Sequence, residues 1–140
     1  MPKETLKIWY QYYRKNRDLV LKRIANIEEK DDKVTITNKD NTKETSIVVE
    51  NLVSFADILK DFKEDEKLYV ITLNNKQHIK ILIDEWSKIC TYKGLTVMFV
   101  NVDSTTEKKW ILKPYIHDRI TEKATLKPGI MSIASSVELC

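Results

Sequence analysis

Leu68-Tyr69-Val70-Ile71-Thr72-Leu73 is apolar along its length, with Thr72 the one polar interruption. A strand with one wet face would read polar at every second residue, so this stretch predicts a central strand covered on both sides. Leu95 to Val102 reads the same way. Strands of this kind need helices packed on their sheet, and the sequence around them supplies the candidates. Asn74 and Asn75 offer caps for a helix running to about Tyr92, with Ile79, Leu82, Ile83, Trp86, Ile89 and Cys90 at helical spacing and Gly94 as a left-handed stop. Asp103 to Glu107 is too short for a crossover, so Lys109 to Ile116 is expected to pair antiparallel with Leu95–Val102.

Working outward, Ser54 caps a short helix that reaches Phe62, and the charged run Lys60 to Lys67 is its solvated exit. Before it, Val34-Thr35-Ile36-Thr37 and Ser46-Ile47-Val48-Val49 flank Asn38-Lys39-Asp40-Asn41 and read as a hairpin. The chain opens with Leu6, Trp9, Tyr10, Tyr13, Val20, Ile24 and Ile27 at intervals of three and four, which predicts one long helix from Lys3 to about Glu29. A last helix carries Ile130, Ile133, Ala134 and Val137. The expected fold is therefore α+β: a mixed sheet of about five strands, the long N-terminal helix and three further helices packed on it.

Composition sets the outer limits. With 140 residues, 42% of them hydrophobic, the chain suits one domain spanning residues 1–140. The 24 basic residues nearly balance 21 acidic ones, so net charge selects no partner and distribution must decide. Cys90 and Cys140 make no disulfide framework, the N-terminus lacks the apolar run of a signal peptide, and no segment is apolar enough to span a membrane. A cytoplasmic location is expected. Only Gly94 and Gly129 occur, too few for the glycine-rich cradles of nucleotide-binding loops, so no cofactor is expected. Lysine and isoleucine enrichment with dense charge of both signs leans towards a hot habitat.

Two clusters combine cations with aromatic rings. The opening helix carries Trp9, Tyr10, Tyr12 and Tyr13 beside Lys7, Arg14, Lys15, Arg17, Lys22 and Arg23. Rings offer stacking faces to unpaired bases and cations track the phosphate backbone, the combination a single-strand binder uses. The bland alternative is that Trp9 and Tyr13 share the core stripe, while Tyr12 points away from it. The second cluster runs from Lys108 to Arg119. Strand alternation puts Lys109, Ile111, Lys113 and Tyr115 on one face and Trp110 with Leu112 on the other, so Trp110 reads as core. The first face could receive a nucleic-acid strand or could be a lysine-protected sheet edge.

Other chemistries fare worse. Asp103 upstream of Glu107-Lys108-Lys109 superficially matches a metal-dependent nuclease string, but the acids flank one tight turn. His78 and His117 stand in different elements without metal-ligand spacing, and His117 beside Asp118 reads as a strand-end residue. Ser132, Ser135 and Ser136 lack the tight turn of a nucleophile. No catalytic residue or metal ligand is assigned.

The stretches Leu68 to Asn75, Asp84-Glu85-Trp86, and Glu107-Lys108-Lys109-Trp110 through Pro114-Tyr115-Ile116-His117 resemble the archaeal ThermoDBP-related proteins, a single-stranded DNA-binding family, over about half the chain. The resemblance implies a cleft between helices and sheet that takes single strands by charge and apolar contact without sequence preference. After Val137 this sequence has no long heptad segment, which puts zipper-type dimerisation in doubt.

The sequence thus reads as a non-catalytic binder of single-stranded DNA or RNA, through Lys7, Tyr12, Arg14, Lys15, Lys22, Lys109, Lys113 and Tyr115. The rival reading is a protein-interaction or self-assembly module, a homodimer for instance, anchored by Trp9, Tyr10 and Tyr13.

Overall fold

Helix α1 (Lys3–Leu21) leads into a sheet of six strands whose spatial order is the order of the chain: β1 (Ile24–Lys30), β2 (Lys33–Asn38), β3 (Lys43–Val49), β4 (Leu68–Leu73), β5 (Leu95–Val100) and β6 (Lys109–Leu112). The computed structural model describes residues 3–140. The first three strands form an antiparallel meander, β3, β4 and β5 run parallel, and β6 returns antiparallel to β5. Five further helices, α2 (Phe55–Leu59), α3 (Lys76–Asp84), α4 (Trp86–Ile89), α5 (Pro114–Ile120) and α6 (Lys123–Ala134), complete the described chain. The fold is α+β, with six strands where about five were expected.

Two cores lie on the two faces of the sheet. One gathers Leu59, Leu68, Val70, Ile79, Leu82, Val97, Phe99, Trp110 and Ile130 with other residues of α2, α3, α4 and α6, and Phe99 and Trp110 stack with ring centres 4.4 Å apart. The other places Leu6 and Tyr10 of α1 on Val34, Ile36, Val48, Ile71, Leu73, Met98 and Val100. Alternation along β4 and β5 feeds both cores, which is why these strands read as continuously apolar.

The docking of α1 follows from a match of two periods. Leu6, Tyr10 and Arg14 form an i, i+4, i+8 row that advances about 6 Å per step, and Val48, Ser46 and Glu44 on β3 advance about 6.6 Å per two residues. The rows run in opposite directions. Tyr10 Oη meets Ser46 Oγ at 2.6 Å, and Arg14 Nη2 donates to Glu44 Oε2 at 3.0 Å.

Several boundaries differ from the sequence expectation, each for a local reason. Helix α1 stops at Leu21 because Lys22 turns left-handed, with φ 51°. Asp18 Oδ1 then accepts the N–H groups of Arg23 and Ile24 at 2.7 and 3.0 Å, fixing the turn into β1. Ile24 and Ile27 belong to β1 instead of the helix. Alternation alone would send them to opposite faces, but the register slips between Ile24 and Asn26, and both pack into the α1 core. A bulged strand thus imitates a helical interval of three.

The expected single helix from Asn75 to Tyr92 is broken at Glu85, whose carboxylate leaves the helix to accept from Ser54 Oγ and from Phe55 N at the start of α2. Gly94 is not left-handed; a side chain there would place Cβ 1.8 Å from the carbonyl oxygen of Glu66, so close passage of two backbones requires glycine. Strand β6 ends at Leu112 because Pro114, with its fixed φ, opens α5 at its first turn.

Candidate nucleic-acid interface

The starts and ends of four strands meet beneath the C-terminal half of α1. Asn38 closes β2, Glu44 opens β3, Lys67 and Tyr69 open β4 and Lys113 follows β6, all at one end of the sheet. With Arg14, Arg17, Asp18 and Leu21 of α1 and Arg23 and Ile24 beyond it, they line a cavity of about 300 Å³. Arg23, Asn38 and Lys67 also line a neighbouring depression with Lys22, Lys39, Asp40 and Thr42, while Arg17 is shared with a hollow bordered by Trp9, Tyr12, Tyr13 and Asn16. The first two recesses make a trough at the sheet end, and Arg17 links it to the hollow along α1.

The floor of the trough is a polar network. Burial pushes the Glu44 carboxyl up, but Arg14, with Tyr69 and Asn38, outweighs it and holds the carboxyl below its usual range. Burial and the Glu44 charge push the Tyr69 phenol up to about 12, so it is a neutral donor at any ordinary pH. Arg14 is therefore a strut: its guanidinium bonds Tyr10 Oη and Glu44 and lies 5.0 Å from the Tyr69 ring centre.

The structure sorts the residues singled out in the sequence. Lys109 and Ile111 do share a face of β6, opposite buried Trp110 and Leu112, and that face is the one α1 covers. The Lys109 ammonium stands 5.1 Å from the centre of the Tyr13 ring, and Lys113 lines the cavity with Arg14 and Arg17. The two basic aromatic clusters therefore meet. Tyr12, 64% exposed, and Lys15 point outward from α1, and exposed Lys22 lies at the trough's far end.

Besides Arg14, whose charge is taken up by Glu44, three assignments are corrected. Lys7 is buried, with its ammonium 2.6 Å from Glu29 and 3.2 Å from Glu4 and donating to Asp31 O, so no charge is left for a phosphate. Tyr115 sits on α5 and not on the strand face, with Arg119 4.1 Å and Lys93 5.6 Å from its ring centre. Tyr10 is fully buried and cannot anchor an interface. Trp9 and Tyr13 are half-buried and stack on each other, centres 5.5 Å apart and planes 3° apart.

Arg17, Arg23 and Lys67, absent from the sequence-derived set, are the cavity's other cations. Arg17 and Arg23 were visible as part of the basic opening segment. Lys67 looked like one more charge in a solvated run, and only its place immediately before a buried strand marked it as lying at a sheet end.

The nuclease string finds no shared site: Asp103 and Glu107 are exposed, and Lys108 is spent on the carbonyls of Val102 and Ser104. Among the described residues, no group of three or more His, Cys, Asp or Glu side chains is placed to hold a metal ion. His78 is structural. Its Nε2 accepts Leu52 N–H at 3.1 Å, which leaves Nδ1 to donate towards Thr72 Oγ1 and Leu73 O. Among the described residues, no helix is long and apolar enough to cross a membrane. No protein-family model, curated protein or solved structure matches the chain.

Proposed function

We propose that this chain binds single-stranded nucleic acid, DNA or RNA, in the cytoplasm, without catalysis and with little sequence preference. The observation that carries the reading is the meeting of the two basic clusters: Lys113 faces the same cavity as Arg17, and Lys109 stands over Tyr13. Phosphates run along Arg17, Arg23, Lys67, Lys109 and Lys113, with Lys15 and Lys22 at the margins, while a base stacks on exposed Tyr12. Contacts to charge and ring faces carry no base code, hence the weak sequence preference. The ThermoDBP resemblance agrees with this mode.

A fluorescence titration of labelled single strands at graded salt tests it. Phosphate contacts release counterions, so log affinity should fall linearly with log salt concentration, by about 0.7 per phosphate neutralised. Absence of binding at low salt, or affinity indifferent to salt, would sink the reading.

A second reading, self-association, rests on the outward face of α1 and shares Tyr12 and Lys15 with the first. Ile8, Tyr12 and Leu19, all more than half exposed, lie with Lys15 at steps of four, three and four along the outward face of α1. That spacing forms a seam for a second copy of the helix. Light scattering decides: a dimer that becomes a monomer in Leu19→Glu supports this reading, and a monomeric parent chain removes it.

A further inference from the structure

The cavity beneath α1 carries more cationic charge than its surroundings use. Among the described residues, Arg17, Arg23 and Lys113 have no ion-pair partner, and Lys67 approaches Glu44 only at 4.0 Å. Both acids in the lining are already engaged: Asp18 accepts the amides of Arg23 and Ile24, and Glu44 holds Arg14. The negative pole at the end of α1 subtracts about half a charge, which still leaves a surplus of cations around one space.

We propose that this cavity binds a terminal phosphate monoester, so that the chain grips a nucleic-acid strand by its end. The inference rests on the strand-binding reading and adds where on the strand the protein sits. A monoester near neutral pH carries about two charges and three terminal oxygens, whereas each internal diester carries one charge and two free oxygens. Guanidiniums on Arg17 and Arg23 can fork onto two oxygens each, and Lys67 and Lys113 supply point charges. Four cations lining one cavity favour the dianion. At about 300 Å³ the cavity is also at the small end of ligand sites, a size that suits one terminal group.

The test is an equilibrium titration with one labelled oligonucleotide in three forms, 5′-phosphorylated, 3′-phosphorylated and hydroxyl at both ends, with a free nucleoside monophosphate titrated separately. At least one phosphorylated form should bind about tenfold tighter than the hydroxyl form. The ratio should fall to near one in Arg23→Gln, Lys113→Gln, and should shrink as pH drops below about 6, where the dianion takes up a proton and becomes a monoanion. Equal binding of all three strands overturns the terminal site while leaving strand binding standing. Binding of the free monophosphate with no strand binding keeps the phosphate site and removes the strand reading. A preference that survives the double substitution overturns the assignment to this cavity, and failure of every probe to bind overturns both.

Discussion

The ammonium of Lys109 lies 5.1 Å from the centre of the Tyr13 ring, joining strand β6 to helix α1 across 96 residues of sequence. The contact turns two basic segments into one surface, and it separates charge from stacking in a way that binding experiments can read. Lys109→Ala should flatten the salt dependence of single-strand affinity by about 0.7 in log–log slope. Tyr12→Ala should weaken binding by about 1–3 kcal/mol and leave the slope unchanged. Affinities at several salt concentrations check both, and a slope change in the tyrosine variant would contradict the division of labour.

Arg14 and Glu44 form a largely enclosed ion pair, with side chains 12% and 6% exposed. Removing one partner strands the other, so Glu44→Ala should cost about 3 kcal/mol. Arg14→Met with Glu44→Leu should recover much of that loss, because neither charge then needs a partner. Urea denaturation of the two singles and the double gives the coupling. Additive losses would show that the pair is not a unit.

His78 makes stability depend on mild acid. Burial lowers its pKa below the usual 6.5, although a hydrogen bond with Leu73 works the other way. As pH falls below about 6.5 the unfolded chain takes up a proton that the folded imidazole resists, so stability present above that pH is lost below it. The slope approaches about 1.4 kcal/mol per pH unit until the folded pKa is reached. Protonation would also remove the acceptor for Leu52 N–H. Thermal melts between pH 5 and 7 should show the slope in the parent and a flatter profile in His78→Gln.

Lys22 holds a left-handed backbone at the end of α1. Glycine adopts this conformation without a Cβ penalty, so Lys22→Gly should raise stability by up to about 1 kcal/mol, offset in part by the freer unfolded chain. A higher melting temperature with weaker single-strand binding is the expected pair of outcomes, since the same change deletes a marginal phosphate contact. A lower melting temperature would mean that the lysine stem contributes packing at this turn.

Periodicity made legible those parts of the fold in which one residue's direction depends on its neighbours. Leu68–Leu73 and Leu95–Val100 read as doubly covered strands and are the sheet's centre. The faces of β6 followed from alternation, and Leu6 with Tyr10 from helical spacing. The first strand escaped because its bulge lets Ile24 and Ile27 share a face, and Tyr115 was misplaced because Pro114 starts a helix where alternation would continue a strand. Lys7 looked free because Glu29, its nearest ion-pair partner, and the Asp31 carbonyl are more than twenty residues away. The trough was the least legible feature. Asn38, Glu44, Lys67 and Lys113 come together only because four strands begin or end at the same level, and no local pattern encodes that coincidence.

The two rims of the sheet constrain how copies of this chain can meet. Strand β1 presents Glu28, Glu29 and Lys30 and is kinked by its bulge, and β6 is only four residues long. Neither offers a straight, uncharged row of backbone donors and acceptors, so edge-to-edge growth into ribbons is discouraged at both sides. Copies brought close together would then pack as separate beads, without zipping their sheets into a continuous fibre.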